Sequence, residues 1–112
     1  MTPIVARYYC PCCGYDGLSC PAYSDLGPPP WPCLGRPPYS EHLGFPSYEV
    51  CACCGFEFGF DDDPGAAAKS SSFEEYRAEW LASGAKWFVA NAKPEGWDLG
   101  RQLSSIGAAA EA

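Results

Sequence analysis

The chain has 112 residues, a net charge of −7 and eight cysteines. Its length fits one domain over residues 1–112, and its 15% aromatic content is typical of a folded chain rather than a disordered one. The acidic balance, with seven scattered basic residues, argues against nucleic-acid binding, which needs clustered Lys and Arg.

Two features bear on the compartment. Residues 1–9 contain Arg7 and no long apolar run, so the pattern of a signal peptide is lacking. No stretch approaches the roughly 20 apolar residues of a membrane span. We therefore expect a cytoplasmic protein with no membrane association, in which thiols stay reduced.

The first predicted element is a short strand over Thr2–Tyr9, which is rich in β-branched and aromatic residues. It leads into Cys10-Pro11-Cys12-Cys13-Gly14-Tyr15, where two cysteines three positions apart precede a glycine. This is the pattern of a zinc knuckle, in which a tight turn aims two thiolates at one metal. A turn over Tyr15–Gly17 then places the knuckle at the tip of a hairpin.

Residues 18–46 form a proline-rich insertion. Its prolines remove backbone donors and fix φ, which predicts an irregular loop without a helix or a central strand. Trp31 and Tyr39 are expected to pin the loop to the body of the protein. His42, the only histidine, is expected at the surface rather than in a catalytic site.

The second knuckle, Cys51-Ala52-Cys53-Cys54-Gly55-Phe56, repeats the first one. A short strand over Tyr48–Val50 enters it, and a strand over Phe56–Phe60 leaves it. In that second strand, aromatic residues alternate strictly with others. Because side chains of a strand alternate between its two faces, this pattern predicts that Phe56, Phe58 and Phe60 share one buried face.

Together the two knuckles predict one tetrahedral metal site with four cysteine ligands: Cys10, Cys13, Cys51 and Cys54. A set of four thiolates is typical of a closed structural zinc site with no open position for water. A disulfide framework is the alternative. Cys12 and Cys53 occupy equivalent places in the knuckles, so both are expected beside the metal with their side chains pointing away.

Cys20 and Cys33 flank a short proline-rich loop, and three interpretations stay open for them. They are free thiols, a disulfide, or half of a second zinc site completed by His42 or by Cys12 and Cys53. Free thiols are the preferred interpretation. The acidic run at Asp61–Asp63 is expected to be a solvated turn rather than a cation site.

Residues 70–106 are predicted to be helical. Ser72 and Glu75 form a capping box, and Phe73, Tyr76, Trp80 and Leu81 make one apolar stripe up to a C′ glycine at Gly84. Trp87 and Phe88 are expected to pack on the part of the chain that carries the two knuckles, residues 1–65. A last helix over Leu99–Ile106 is predicted to begin after an N-cap at Asp98.

These elements predict an α+β fold, in which residues 1–65 form a zinc ribbon with the inserted loop. Its short antiparallel strands are expected to pack against one or two C-terminal helices.

The chain resembles the bacterial cysteine-rich CPCC proteins. The resemblance lies in residues 9–15, residues 46–59, and the C-terminal residues 72–77, Trp80 and 84–88. It implies a rubredoxin-like, zinc-ribbon-like fold and brings no activity; the segment 18–46 departs from it as an insertion. A second likeness, to rubredoxin itself through the two Cys-x-x-Cys-Gly motifs, implies an iron site and electron transfer.

No catalytic constellation accompanies the knuckles. We therefore expect a non-enzymatic structural zinc protein that binds another protein as an interaction or accessory module. A homo-oligomer is compatible with the same function. An iron electron carrier and a thiol redox protein are the alternatives; the latter would need an exposed cysteine with a depressed pKa.

Overall fold

The computed structural model describes residues 8–63 and 71–108. Three α-helices occur there: α1 at Ser40–Leu43, α2 at Phe73–Ala82 and α3 at Leu99–Ser104, with a 3₁₀ turn at Ala90–Ala92. The predicted strand 2–9 lies outside the described residues except for its last two. Residue 70, the first of the predicted helical part, also lies outside the described residues. Within the described ranges, no helix has the length and apolar character that a membrane crossing requires.

The prediction of an α+β zinc ribbon is wrong. Residues 8–63 and 71–108 contain no β-strand and no sheet, and pairing there is confined to isolated bridges, such as Val50 with Glu57. After Glu57 the chain turns at once, because the N–H groups of Phe60 and Asp61 both donate to the Glu57 carbonyl oxygen. The second hairpin therefore closes its knuckle and ends before a ladder can grow.

The early turn also corrects the prediction for the phenylalanines. Phe56 and Phe58 are fully buried, whereas Phe60 is 42% exposed. Alternation predicts one buried face only while the backbone stays extended. The extended stretch ends at Glu57, and Gly59, with φ of +94°, lies in the turn that leaves Phe60 exposed.

The proline-rich insertion contains a helix that its composition argued against. Helix α1 fits into the proline-free residues 39–45, so the prolines limit it to four residues and do not prevent it. The prediction that aromatic side chains pin the loop holds for Tyr39, which is fully buried. Trp31 is partly buried.

Helix α2 begins as predicted. The Ser72 side chain accepts the N–H of Glu75, and the Glu75 side chain accepts the N–H of Ser72, which completes the capping box. The helix ends at a C-cap Ser83 followed by Gly84 with φ of +101°. Phe73 and Trp80 are buried and join the aromatic core around the knuckles.

Helix α3 begins after Asp98, whose carboxylate accepts the N–H of Arg101. It ends at Ser104, two residues earlier than predicted, but Leu103 and Ile106 are both buried as the apolar pattern indicates. The segment between α2 and α3 holds Trp87, whose ring packs edge-on against Tyr15 and Trp97. Phe88 contradicts the sequence analysis in part, because 65% of it is exposed.

Candidate metal centre

The two knuckles, residues 10–15 and 51–56, have the same backbone structure. In the first, Gly14 N–H donates to Cys10 O at 2.8 Å, and Cys10 N–H donates to Tyr15 O at 2.7 Å. In the second, the matching distances are 2.9 Å for Gly55 to Cys51 and 3.0 Å for Cys51 to Phe56. Each glycine has positive φ, +88° and +82° in chain order, which residues with a β-carbon rarely adopt.

The knuckles bring the four predicted ligands together. The Sγ atoms of Cys10, Cys13, Cys51 and Cys54 all lie within 4.8 Å of one another. Cys10 Sγ is 3.8 Å from Cys54 Sγ, and Cys13 Sγ is 3.6 Å from Cys51 Sγ, so each close pair joins one knuckle to the other. Three of the four cysteines are fully buried, and Cys54 is 6% exposed.

These separations fit a metal better than a disulfide. A tetrahedron with metal–sulfur bonds of about 2.3 Å has sulfur–sulfur edges of about 3.8 Å. A disulfide requires about 2.05 Å, and all eight cysteines of this chain are free thiols. The four buried cysteines thus lie at metal-binding distance, as in a small metal-binding protein, without the cross-links of a disulfide framework.

The electrostatics of the cluster favour a bound cation. Burial raises the pKa of the Cys13 and Cys54 thiols well above the ordinary range, so both are neutral on their own at pH 7. Burial acts in the same direction on Cys10, but hydrogen bonds with neighbouring thiols outweigh it and lower the pKa of Cys10 to about 6. One thiolate is thus already stabilised, and a metal ion supplies the charge that the others need.

Cys12 and Cys53 are fully buried beside the four clustered cysteines, and both make contacts elsewhere. Cys12 Sγ donates to Phe73 O at 3.6 Å, and Cys53 Sγ accepts from Gln102 Nε2 at 3.4 Å. Burial raises the pKa of the Cys12 thiol, which keeps it neutral. Both thiols lie beside the cluster, but each also interacts with clustered thiols, Cys12 with Cys10 and Cys54 and Cys53 with Cys13. Neither side chain therefore points wholly away from the cluster, contrary to the prediction from the pseudo-symmetry of the knuckles.

The C-terminal helices hold the carbonyl groups of the first knuckle. Arg77 Nε donates to Cys12 O at 2.6 Å, and Arg77 Nη2 donates to Pro11 O at 3.0 Å. Gln102 Nε2 donates to Cys13 O at 3.0 Å. Three successive carbonyls of the knuckle are therefore fixed by side chains from α2 and α3.

The matching carbonyls of the second knuckle are held as well. Their donors are Val89 N–H to Ala52 O at 2.8 Å, Phe88 N–H to Cys53 O at 2.9 Å, and Tyr76 Oη to Cys54 O at 3.0 Å. Sequence reasoning missed these partners, because they lie 22 to 37 residues from their acceptors and no local motif marks them. The C-terminal part is thus a direct support of the cysteine cluster.

The knuckle glycines also permit close packing by the C-terminal part. A β-carbon at position 14 would lie 2.4 Å from the carbonyl oxygen of Gln102, and one at position 55 would lie 2.8 Å from the ring of Phe88. Glycine is therefore required at both positions for two reasons: its backbone adopts positive φ, and its missing side chain leaves room for the C-terminal part to pack on the turn. This contact explains why Phe88 packs on the second knuckle although much of its ring is exposed.

The remaining predicted residues stay outside the cluster. Cys20 Sγ lies 3.9 Å from a carboxylate oxygen of Glu49, and Cys33 Sγ lies 3.6 Å from one of Glu74. Both thiols are exposed, as is His42, whose Nε2 lies 3.1 Å from Leu34 O. In the described part of the chain, these three residues join no second group of metal ligands, and Cys20 and Cys33 form no disulfide.

Comparisons with known proteins add one relative and no function. No family model matches the chain, and no solved structure matches it. The chain is similar to the uncharacterized protein YoaQ of Bacillus subtilis strain 168, with 34% identity over 47 residues. The match covers 34% of this chain and 40% of the relative, so the chain spans less than half the length of the curated relative that it matches.

Proposed function

We propose that this chain is a small non-enzymatic zinc protein whose four-cysteine centre joins the two knuckles as a closed structural site. The observation that carries the proposal is the meeting of four buried sulfurs at the edge lengths of a metal tetrathiolate. A closed set of four cysteine ligands is typical of structural zinc, and the hydrogen bonds to the knuckle carbonyls hold the ligands in position. The resemblance to the cysteine-rich CPCC proteins supports the same assignment.

Iron is the alternative occupant, because the same sulfur set binds it with similar bond lengths. Cys54 is the most exposed of the four clustered cysteines, and only 6% of its surface is accessible to solvent. A closed site with so little exposed sulfur favours a structural role over electron transfer. A thiol redox role is disfavoured since the exposed thiols of Cys20 and Cys33 lie against carboxylates, whereas reactive thiols lie in electropositive surroundings.

The role of such a module is interaction with another protein rather than with nucleic acid. The net charge of −7 opposes a polyanion, and a zinc tetrathiolate adds about two further negative charges. Large apolar side chains at the surface, including Phe45 at 82% and Tyr48 at 64% exposure, support a protein partner or a second copy of the chain. The eight free thiols support a reducing compartment, the cytoplasm.

The experiment is metal analysis of the protein purified from its native source, combined with its absorption spectrum. Zinc gives a colourless protein, whereas a ferric tetrathiolate is red. Stoichiometric iron with reversible one-electron reduction would replace the structural assignment with the electron carrier. Sub-micromolar binding to duplex DNA or RNA at physiological salt would overturn the proposed partner class.

A further inference from the structure

Two consecutive residues of helix α2 hold the two knuckles together. The Tyr76 hydroxyl donates to Cys54 O of the second knuckle at 3.0 Å. The Arg77 guanidinium donates to Cys12 O and Pro11 O of the first at 2.6 and 3.0 Å. One helix therefore sets the position of both halves of the cysteine cluster.

The contact made by Arg77 differs from that of Tyr76 because it carries a charge. Four thiolates around a divalent metal leave a net charge of about −2 in a buried site, where charges are poorly screened by solvent. The guanidinium is partly buried against the first knuckle, and its two hydrogen bonds to carbonyl oxygens are charge-assisted because the donor is ionised. A positive charge is thus fixed close to the centre that needs one.

The two knuckles depend on the C-terminal part in different ways. The carbonyls of Pro11 and Cys12 are held by one charged side chain, whereas the equivalent carbonyls of Ala52 and Cys53 are held by backbone N–H groups. A backbone contact persists when a side chain is replaced. Substitution at position 77 therefore acts on the first knuckle and leaves the support of the second in place.

We propose that Arg77 is a positioning residue of the metal centre, which offsets the charge of the tetrathiolate and holds the first knuckle in its metal-binding conformation. The inference rests on the proposed metal-binding function. It adds that the first knuckle is the half of the site that opens when this support is lost. Arg77 acts through the Pro11 and Cys12 carbonyls and is not itself a ligand.

The test measures zinc affinity by chelator competition in wild type and three variants. Arg77→Met removes both the charge and the two hydrogen bonds of the guanidinium, whereas Arg77→Lys keeps the charge. Tyr76→Phe removes the neutral hydrogen bond to the second knuckle. We expect R77M to lose roughly 10–100-fold in zinc affinity, as is typical for outer-shell partners of a metal. R77K should lie between R77M and wild type, because one ammonium cannot reproduce the two directed bonds of the guanidinium. Y76F should lose less than R77M.

A second readout follows which half of the site opens. Zinc-loaded protein is treated with iodoacetamide, and the labelled cysteines are identified by mass spectrometry. In R77M, Cys10 and Cys13 should react before Cys51 and Cys54. If R77M fails to fold, R77K is labelled instead, and the same order of reaction is expected.

The outcomes separate this inference from the proposed function. Wild-type protein that binds no metal would overturn both. Wild-type protein that binds zinc, with R77M and R77K within about twofold of its affinity, would overturn the role of Arg77 alone. Equal labelling of the two knuckles in R77M and R77K would also overturn it, since a general loss of stability would expose both halves together.

Discussion

The ring of Tyr39 lies flat on the ring of Phe73, with centroids 3.9 Å apart and planes within 2° of each other. The Tyr39 hydroxyl also accepts the backbone N–H of Phe73 at 2.8 Å and lies 3.2 Å from Gly35 O, to which it donates. Phe73 is the first residue of α2, where a helix leaves its N–H groups without intrahelical acceptors. The proline-rich insertion thus provides a cap for the helix that supports both knuckles.

The substitution Tyr39→Phe tests this link. It keeps the stacked ring but removes the acceptor of a buried N–H, so we expect a loss of about 1–3 kcal/mol in the free energy of unfolding. Urea unfolding of the zinc-loaded protein measures the difference. The control is Tyr48→Phe, which removes a hydroxyl from a ring that is 64% exposed and should change stability little. Equal effects of the two substitutions would contradict the capping role.

The substitution Gly14→Ala tests the close packing of α3 on the first knuckle. The new β-carbon would overlap the backbone of Gln102, and the residue would keep a φ of +88°. Gly96→Ala is a matched control, with φ of +70° and nothing within 4 Å of the added carbon. We expect G96A to cost about 1 kcal/mol from backbone strain alone and G14A to cost at least about 2 kcal/mol. Thermal unfolding of both variants gives the comparison, and similar costs would show that α3 yields without penalty.

Local patterns account for what the sequence predicted correctly. The spacing of Cys10 and Cys13, and of Cys51 and Cys54, identifies the four cysteines that meet, because each pair is set by a turn of a few residues. The capping box at Ser72 and the N-cap at Asp98 likewise place the starts of α2 and α3 from neighbouring residues. These features need no knowledge of distant parts of the chain.

Long-range contacts account for what the sequence did not show. The ribbon prediction failed because hydrophobic alternation at Phe56–Phe60 reveals neither the turn that follows Glu57 nor the lack of a partner strand beyond it in the described ranges. The contact between Arg77 and Cys12 spans 65 residues. From the sequence, Arg77 is one polar residue on the exposed side of a helix, and only the folded chain brings it to the knuckle.

Alkaline pH should destabilise the fold through its buried and partly buried tyrosines. Burial raises the pKa of Tyr23, Tyr39 and Tyr76 above the ordinary value, and the carboxylate of Asp62 adds to the effect on Tyr23. A raised pKa in the folded state means that stability is fully present below about pH 10, the pKa of an unfolded-chain tyrosine. Stability is then lost as the pH rises from there toward the folded-state pKa.

Urea unfolding at a series of pH values from 8 upward measures this decline. Tyr23→Phe should be less stable at pH 8, since the buried Asp62 carboxylate loses its hydroxyl donor, yet its stability should fall less steeply above about pH 10. A variant with the same slope as wild type would show that Tyr23 makes no contribution to alkaline sensitivity.

Replacing one ligand in each knuckle should abolish metal binding. The double variant Cys13→Ser, Cys54→Ser keeps the size of both side chains but removes two soft thiolates, and the binding energy of such sites is largely folding energy. We expect no retained zinc and a cooperative transition that is weakened or lost by circular dichroism. The matched control, Cys20→Ser with Cys33→Ser, removes two exposed thiols outside the cluster and should keep its metal. A loss of one equivalent in that control would reveal a second site.

The most direct test of the central claim is the mass of the folded protein by native mass spectrometry, with the metal identified by elemental analysis. The four-cysteine centre predicts one zinc per chain, with Cys10, Cys13, Cys51 and Cys54 protected from alkylation until the metal is removed by a chelator. Metal-free protein that stays folded with these four thiols equally protected, or with disulfides between them, would contradict a metal centre at the junction of the two knuckles.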